Sequence, residues 1–335
     1  MIQLRKAAIL FSLLFVLTPF RIQEVKAQVN IIFDTDFGGD ADDLGALAML
    51  NHFQNKKEIN LLAVMGWNTE LYSVSAIDAT NTYYGNPDIP IGVRKDGSYL
   101  NEWNHSKVIA DNLEHDATYE NAPEATSLYR KLLSESDDKG IVIVTVGPLE
   151  NIKRLIESES DEYSSLNGME LINQKVSEFV IMGGNFPTST NEWNFDGGMP
   201  GVTRFVLEKL ETPVTFLGAE LGSSLKTGEI FNDLPSDSPL YLGFYHFSKY
   251  APWVKDNFTG NINDNSTFDQ TAVLYAIRDG VGTYWDRVEN GICVADSTGG
   301  NTWEPKENSN HSYLVLKKPR IEMEQELEAF MIGNF

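Results

Sequence analysis

Apolar residues fall into short, nearly continuous, β-branched runs separated by longer stretches with helical spacing. The runs at Val29–Phe33, Leu61–Met65, Ile141–Val146, Phe179–Met182 and Val214–Leu217 have the unbroken apolar character of strands buried on both faces. Gly, Asn or Asp follows each one closely, as at the C-terminal edge of a parallel sheet where the chain opens a crevice. Between the runs, spacing predicts helices over Asp43–Lys57, Ser75–Tyr84, Asn151–Ser158 and Gln270–Asp279. The first of these carries Leu44, Leu47 and Leu50 in one apolar stripe. This alternation predicts an α/β fold built on a doubly wound, mostly parallel sheet. In the last third, Gly291–Ala295 and Tyr313–Leu316 read as late strands forming a small antiparallel addition, and Pro319–Gly333 as a terminal helix. Lys95–Glu135 is polar, dotted with aromatics, and yields no assignment. No repeat or long low-complexity linker interrupts the pattern, which predicts a single domain over residues 28–335.

The first 27 residues stand apart from that pattern. Arg5 and Lys6 precede a short apolar core, Ala7–Leu17, and Val25-Lys26-Ala27 resembles a small-residue cleavage site. The apolar core is too short to span a bilayer. These features predict a cleavable signal peptide and a periplasmic or secreted protein beginning near Gln28. Cys293 is the only cysteine, so an internal disulfide is excluded. Export without disulfides suits a bacterial periplasm or cell surface. Loss of the leader removes four basic residues and one acid and takes the formal charge from −22 to −25. Nucleic acid and anionic membranes are poor partners for such a surface; a divalent cation and a small neutral substrate suit it better.

The densest chemistry lies directly after the first strand, in Asp34-Thr35-Asp36-Phe37-Gly38-Gly39-Asp40-Ala41-Asp42-Asp43. Five carboxylates in ten residues repel one another. At the C-terminal end of a strand they are tolerable when a cation neutralises them, and hard oxygen ligands suggest Ca²⁺ or Mg²⁺. Helix capping alone needs one or two acids. An EF-hand fails on spacing, because a loop begun at Asp40 has Leu44 fifth and Asn51 twelfth. A dehalogenase-like phosphatase, suggested by Asp34-x-Asp36, expects Thr or Val where Gly38 stands.

The motif Asp34-Thr35-Asp36-x-Gly38-x-Asp40-x-Asp42-Asp43-x-x-Ala46-Leu47 resembles the N-terminal signature of the inosine–uridine-preferring nucleoside hydrolases. Gly66-Trp67-Asn68, Val146-Gly-Pro-Leu-Glu-Asn151, Met182-Gly-Gly with Glu192-Trp193-Asn194-Phe195, and Phe268-Asp269-Gln-Thr-Ala-Val273 resemble further family motifs in the family's order. The resemblance implies a Ca²⁺ site with Asp36, Asp43 and Asp269 as side-chain ligands and the backbone carbonyl of Val146 as another. It implies Asp42 as general base on the attacking water, and Asn68, Glu192 and Asn194 as ribose-binding groups. Trp193, beside them, is a candidate for the sugar or base pocket, with core packing as the other reading. The implied reaction is hydrolysis of the N-glycosidic bond of a ribonucleoside or related N-riboside, through an oxocarbenium-like transition state. Homodimers or homotetramers are implied as well, and Trp253, Trp285 and Trp303 are candidates for self-association or for the core.

Three departures from the family's pattern stand out. The leading cluster is two residues longer, with Phe37 in place of Pro, which leaves the role of Asp40 open. The loop from Met182 to Glu192 is short and supplies no counterpart for a further ribose-binding Asn; Asn185 lies too near the strand. Phe268 occupies the place of a His that serves many members as the acid for the departing base, and Phe donates no proton. His246, Tyr245 and Tyr284 are replacement candidates by residue type alone. A calcium-dependent sugar- or nucleoside-binding protein without catalysis is the alternative that this substitution raises.

Overall fold

The computed structural model describes residues 28–335; the leader expected over residues 1–27 lies outside them. Thirteen strands are present among these residues: β1 (Val29–Thr35), β2 (Ile59–Gly66), β3 (Ile91–Val93), β4 (Ile141–Thr145), β5 (Val176–Met182), β6 (Thr188–Ser189), β7 (Val214–Leu217), β8 (Lys226–Thr227), β9 (Asn265–Ser266), β10 (Trp285–Val288), β11 (Gly291–Ala295), β12 (Asn301–Pro305) and β13 (His311–Leu316). The main sheet has the order β10-β13-β7-β5-β4-β1-β2-β3. All of its pairings are parallel except β10 with β13. Tyr313–Leu316 pairs antiparallel with β10, as expected of a late strand, while the start of the same strand, His311–Tyr313, extends the parallel sheet beside β7. The antiparallel addition does exist, as the small sheet β11-β12-β6.

Alternate residues of the central strands feed two cores. Ile31 and Phe33 of β1 face one, and Ile32 faces the other, as period-2 side-chain alternation requires. The first core packs against helices Asp42–Asn55, Ser73–Tyr83, Pro239–Tyr250, Asp269–Arg278 and Arg320–Met331. The second packs against Ala125–Glu135, Glu150–Glu157, Gly168–Lys175 and Val202–Lys209. No helix among the described residues is long and apolar enough to cross a membrane. Trp285 is fully buried, and Trp303 packs edge-on against Tyr313, so both serve packing.

The winding of the sheet places the crevice. From β1 the chain proceeds through β2 to β3 on one side, whereas β4, β5 and β7 lie on the other. The C-terminal ends of β1 and β4 therefore border the switch point where the connections diverge. Gly147, just after β4, permits that closeness: a Cβ there would sit 2.9 Å from the Asp36 backbone nitrogen. Gly38 has φ +126°, and a Cβ would strike Ser106, so only glycine fits this turn.

Asp34 belongs to the frame and not to the crevice. Its buried carboxylate accepts hydrogen bonds from the Tyr129 hydroxyl at 2.8 Å and from Asn151 Nδ2 at 3.1 Å, which ties β1 to the two helices behind it. Burial still pushes its pKa up to about 7. Tyr129→Phe removes a donor and leaves this acid under-satisfied. We expect a loss of about 1–3 kcal/mol in unfolding free energy with cation binding retained, measured by denaturant titration and calorimetry.

Candidate active site

Every segment that borders the switch point contributes to one cavity of about 740 Å³. The loop after β1 and the start of the following helix bring Asp36, Asp40, Asp42 and Asp43. The end of β2 brings Trp67 and Asn68, and the end of β4 brings Val146. Met182 ends β5, and the turn beyond it carries Glu192, Trp193 and Asn194. Phe268 and Asp269 arrive at the head of the helix Asp269–Arg278. The residues expected from sequence to hold the metal, the water and the ribose, Asp36, Asp42, Asp43, Val146 and Asp269 with Asn68, Glu192, Trp193 and Asn194, thus line the same cavity.

The carboxylate oxygens of Asp42, Asp43 and Asp269 lie within 4.8 Å of one another, and all three side chains are buried. Burial, reinforced by mutual repulsion, holds their pKa values well above the carboxylate range. Asp36 and Asp40 feel the same burial and are raised to about 6. None of the five forms an ion pair with Lys, Arg or His among the described residues. Removing an isolated carboxylate from water costs several kcal/mol after relaxation. An all-oxygen donor set with surplus negative charge and no protein cation fits a hard divalent ion.

The hydrogen bonds refine the roles. Asp42 accepts from the backbone N–H of Asp43 at 3.2 Å and of Asp269 at 3.4 Å, so the loop and the distant helix orient one carboxylate jointly. Asp43 is held by the Thr35 hydroxyl. Asp36 stands outside the convergent trio, with one oxygen accepting from the Trp193 indole N–H at 3.0 Å. Trp193 is 58% exposed, which excludes the core-packing reading. Asp40 accepts from the Ala41 N–H at 2.6 Å and from the side chain of Asn265 in β9, which ties the loop to that strand.

Three residues expected to hold a sugar also build the scaffold. Asn68 donates to the carbonyl of Asp36 at 3.1 Å and accepts from the Tyr99 hydroxyl at 2.5 Å and the Glu70 N–H at 3.0 Å. It pins the backbone that carries Asp36. Glu192 caps the short helix Trp193–Asp196, accepting from the N–H groups of Gly184, Asn194 and Phe195 at 2.8–3.1 Å. Burial raises its pKa to about 7. Asn194 Nδ2 donates to the Val146 carbonyl at 2.9 Å and the Met182 carbonyl at 3.2 Å. That carbonyl has a second lone pair, so it stays available as a ligand.

Other wall residues were not legible as such. Tyr99, Asn101, Trp103 and Asn104 come from the unassigned segment Lys95–Glu135, and Trp253 follows the helix Pro239–Tyr250. Their signal was the scatter of aromatics in otherwise polar sequence. Trp103 and Trp253 meet edge to face at 5.0 Å. Phe268 is seated against Gly222, where a Cβ would lie 2.4 Å from its ring. His246, Tyr245 and Tyr284 do not line the cavity. Tyr284 bonds to Glu326 at the far edge of the sheet, which removes it as a replacement acid.

The family model for inosine-uridine preferring nucleoside hydrolases matches residues 31–322. Among solved structures, the fold is similar to the purine-preferring ribonucleoside hydrolase from Gardnerella vaginalis, with a TM-score of 0.64 and 15% identity over 91% of this chain and 99% of that one. It is similar to the inosine-uridine preferring nucleoside hydrolase from Bacillus anthracis, with a TM-score of 0.61 and 15% identity over 91% and 100%. It also resembles the type III effector protein XopQ, solved with adenosine diphosphate ribose, at a TM-score of 0.60 and 13% identity over 92% and 93%. No curated protein matches the sequence. Sequence family, sheet topology and the convergence of the family's motifs on one cavity agree: the chain belongs to the inosine-uridine preferring nucleoside hydrolase family and is a hydrolase acting on N-glycosyl compounds.

Proposed function

We propose that the protein is an exported, calcium-dependent N-ribohydrolase acting on ribonucleosides or related N-ribosides. The observation that carries this reading is the buried, cation-free convergence of Asp42, Asp43 and Asp269. Asp36, Asp43, Asp269 and the Val146 carbonyl would hold the ion, which when bound supplies charge neutralisation, activates water and grips a sugar diol. Asp42 takes the proton of the attacking water. Its two backbone N–H partners fix its direction. Asn68, Glu192 and Asn194 offer the ribose hydroxyls an amide and carboxylate surface. Carboxylates around C1′ favour the positive charge that develops there. The signal-like leader supports export and a single folded unit over residues 28–335; the family resemblance supports a homodimer or homotetramer.

Asp42→Asn keeps the shape of the side chain and removes the base. We expect turnover of an N-riboside to fall by roughly 10²–10⁴-fold, with calcium binding and melting temperature retained. Turnover within about tenfold of the parent would contradict the assignment.

Stability should depend on pH in a direction opposite to that of most acidic proteins. Burial raises the pKa values of Asp36 and Asp40 to about 6 and those of Asp34 and Glu192 to about 7. Between the unfolded carboxylate range and these values, the folded chain binds more protons than the unfolded one. Stability is therefore lost as pH rises through that window. With EDTA present, the melting temperature should fall between about pH 4 and pH 7, and excess calcium should remove most of the decline. A melting temperature that rises across this window in EDTA would contradict the account of the cluster.

A further inference from the structure

Cleavage of an ordinary nucleoside leaves electrons on the ring nitrogen of the base, and a proton must neutralise them. Outside the carboxylate cluster, the cavity wall offers no group free to give one. Among its described residues there is no His and no Cys. Phe268 stands beside Asp269 and is fixed there by Gly222. The Tyr99 hydroxyl already donates to Asn68. The Lys226 ammonium donates to Ser266 at 2.7 Å. Glu192 spends its oxygens on three backbone N–H groups, which need an acceptor.

What the wall offers instead is surface for a flat cation. Tyr99, Trp103, Trp193, Trp253 and Phe268 line one cavity, together with Trp67, whose ring already carries the Arg94 guanidinium at 4.6 Å. Among its described residues Lys226 is the only cationic side chain, against Asp264, Glu192 and the cluster of Asp36, Asp40, Asp42, Asp43 and Asp269. Aromatic faces attract cations through their quadrupole, and a net-negative wall reinforces that attraction even after one divalent ion is bound.

Resting on the N-ribohydrolase reading, we infer that the preferred substrates are ribosides whose base is already cationic, such as N-ribosyl pyridinium or N-alkyl purinium compounds. When the C1′–N bond breaks, its electron pair neutralises the ring, and the base departs uncharged without a proton. Water adds its oxygen to C1′ and gives one proton to Asp42, which passes it to solvent. The products are ribose, the neutral base and one proton, so the reaction balances with no acid and no further reactant.

The test measures ribose release with calcium present from nicotinamide riboside and 7-methylguanosine as cations, from inosine and uridine as neutral nucleosides, and from neutral p-nitrophenyl riboside. The last needs no acid, so it separates cation recognition from an easily departing group. We expect kcat/KM for both cationic ribosides to exceed that for inosine and uridine by about 100-fold or more, the scale of a missing general acid. It should exceed that for p-nitrophenyl riboside by about tenfold, carried by KM. Trp253→Leu, at a position 54% exposed, should raise KM for nicotinamide riboside more than for p-nitrophenyl riboside. Comparable values for neutral and cationic nucleosides would overturn the inference while leaving the hydrolase reading intact. So would cleavage of p-nitrophenyl riboside alone, or equal KM changes in the Trp253 variant. No cleavage of any riboside would overturn both.

Discussion

Mutual repulsion among buried carboxylates is the constraint around which this structure is arranged. Asp36, Asp40, Asp42, Asp43 and Asp269 gather at one end of the sheet without a Lys, Arg or His in ion-pair reach among the described residues. A fold stabilised by about 5–15 kcal/mol cannot absorb several unpaired buried charges unless they are protonated or neutralised from outside. Raised pKa values express the first escape, and a divalent ion offers the second. Much of the local architecture serves to hold the cluster against its own repulsion. Thr35 holds Asp43, Trp193 holds Asp36, Asn265 holds Asp40, and backbone N–H groups hold Asp42.

This explains why the residues with sugar-binding chemistry are also scaffold. Asn68, Glu192 and Asn194 each spend hydrogen bonds on the backbone that presents the cluster. Their amide and carboxylate groups can meet a diol only with the capacity left over. A substitution at any of them would disturb both the site's shape and its contacts, so loss of activity at these positions would not by itself identify a substrate contact. Asp42 is a cleaner position, since its partners are two N–H groups supplied by the backbone of neighbouring acids.

The central strands were legible because burial on both faces leaves continuous apolar runs, and the helices after β1 and at Asp269 were legible because they open on Asp. Short or polar elements were not. Ile91–Val93 is an edge strand of three residues, too brief for periodicity. The helices Ser106–Asn112 and Ala125–Glu135 lie in a polar segment that also gives Tyr99, Asn101, Trp103 and Asn104 to the cavity wall. Tyr313–Leu316 has the composition of a strand, but that the residues just before it join the parallel sheet depends on β7, far away in sequence. Within the site, motif residues could be read one by one. The aromatic wall could not, because Trp103 and Trp253 meet only through the tertiary fold. Nor could the choice between core and cavity for Trp193 be made before its indole was seen against Asp36.

The central claim is that this cluster is a cation site. Calorimetric titration of calcium into EDTA-stripped, then EDTA-free, protein tests it most directly. The account predicts one ion bound per chain, with protons released near pH 6.5 because the ion displaces them from carboxylates whose pKa values are raised. Absence of saturable binding by calcium, with magnesium equally silent, would contradict it.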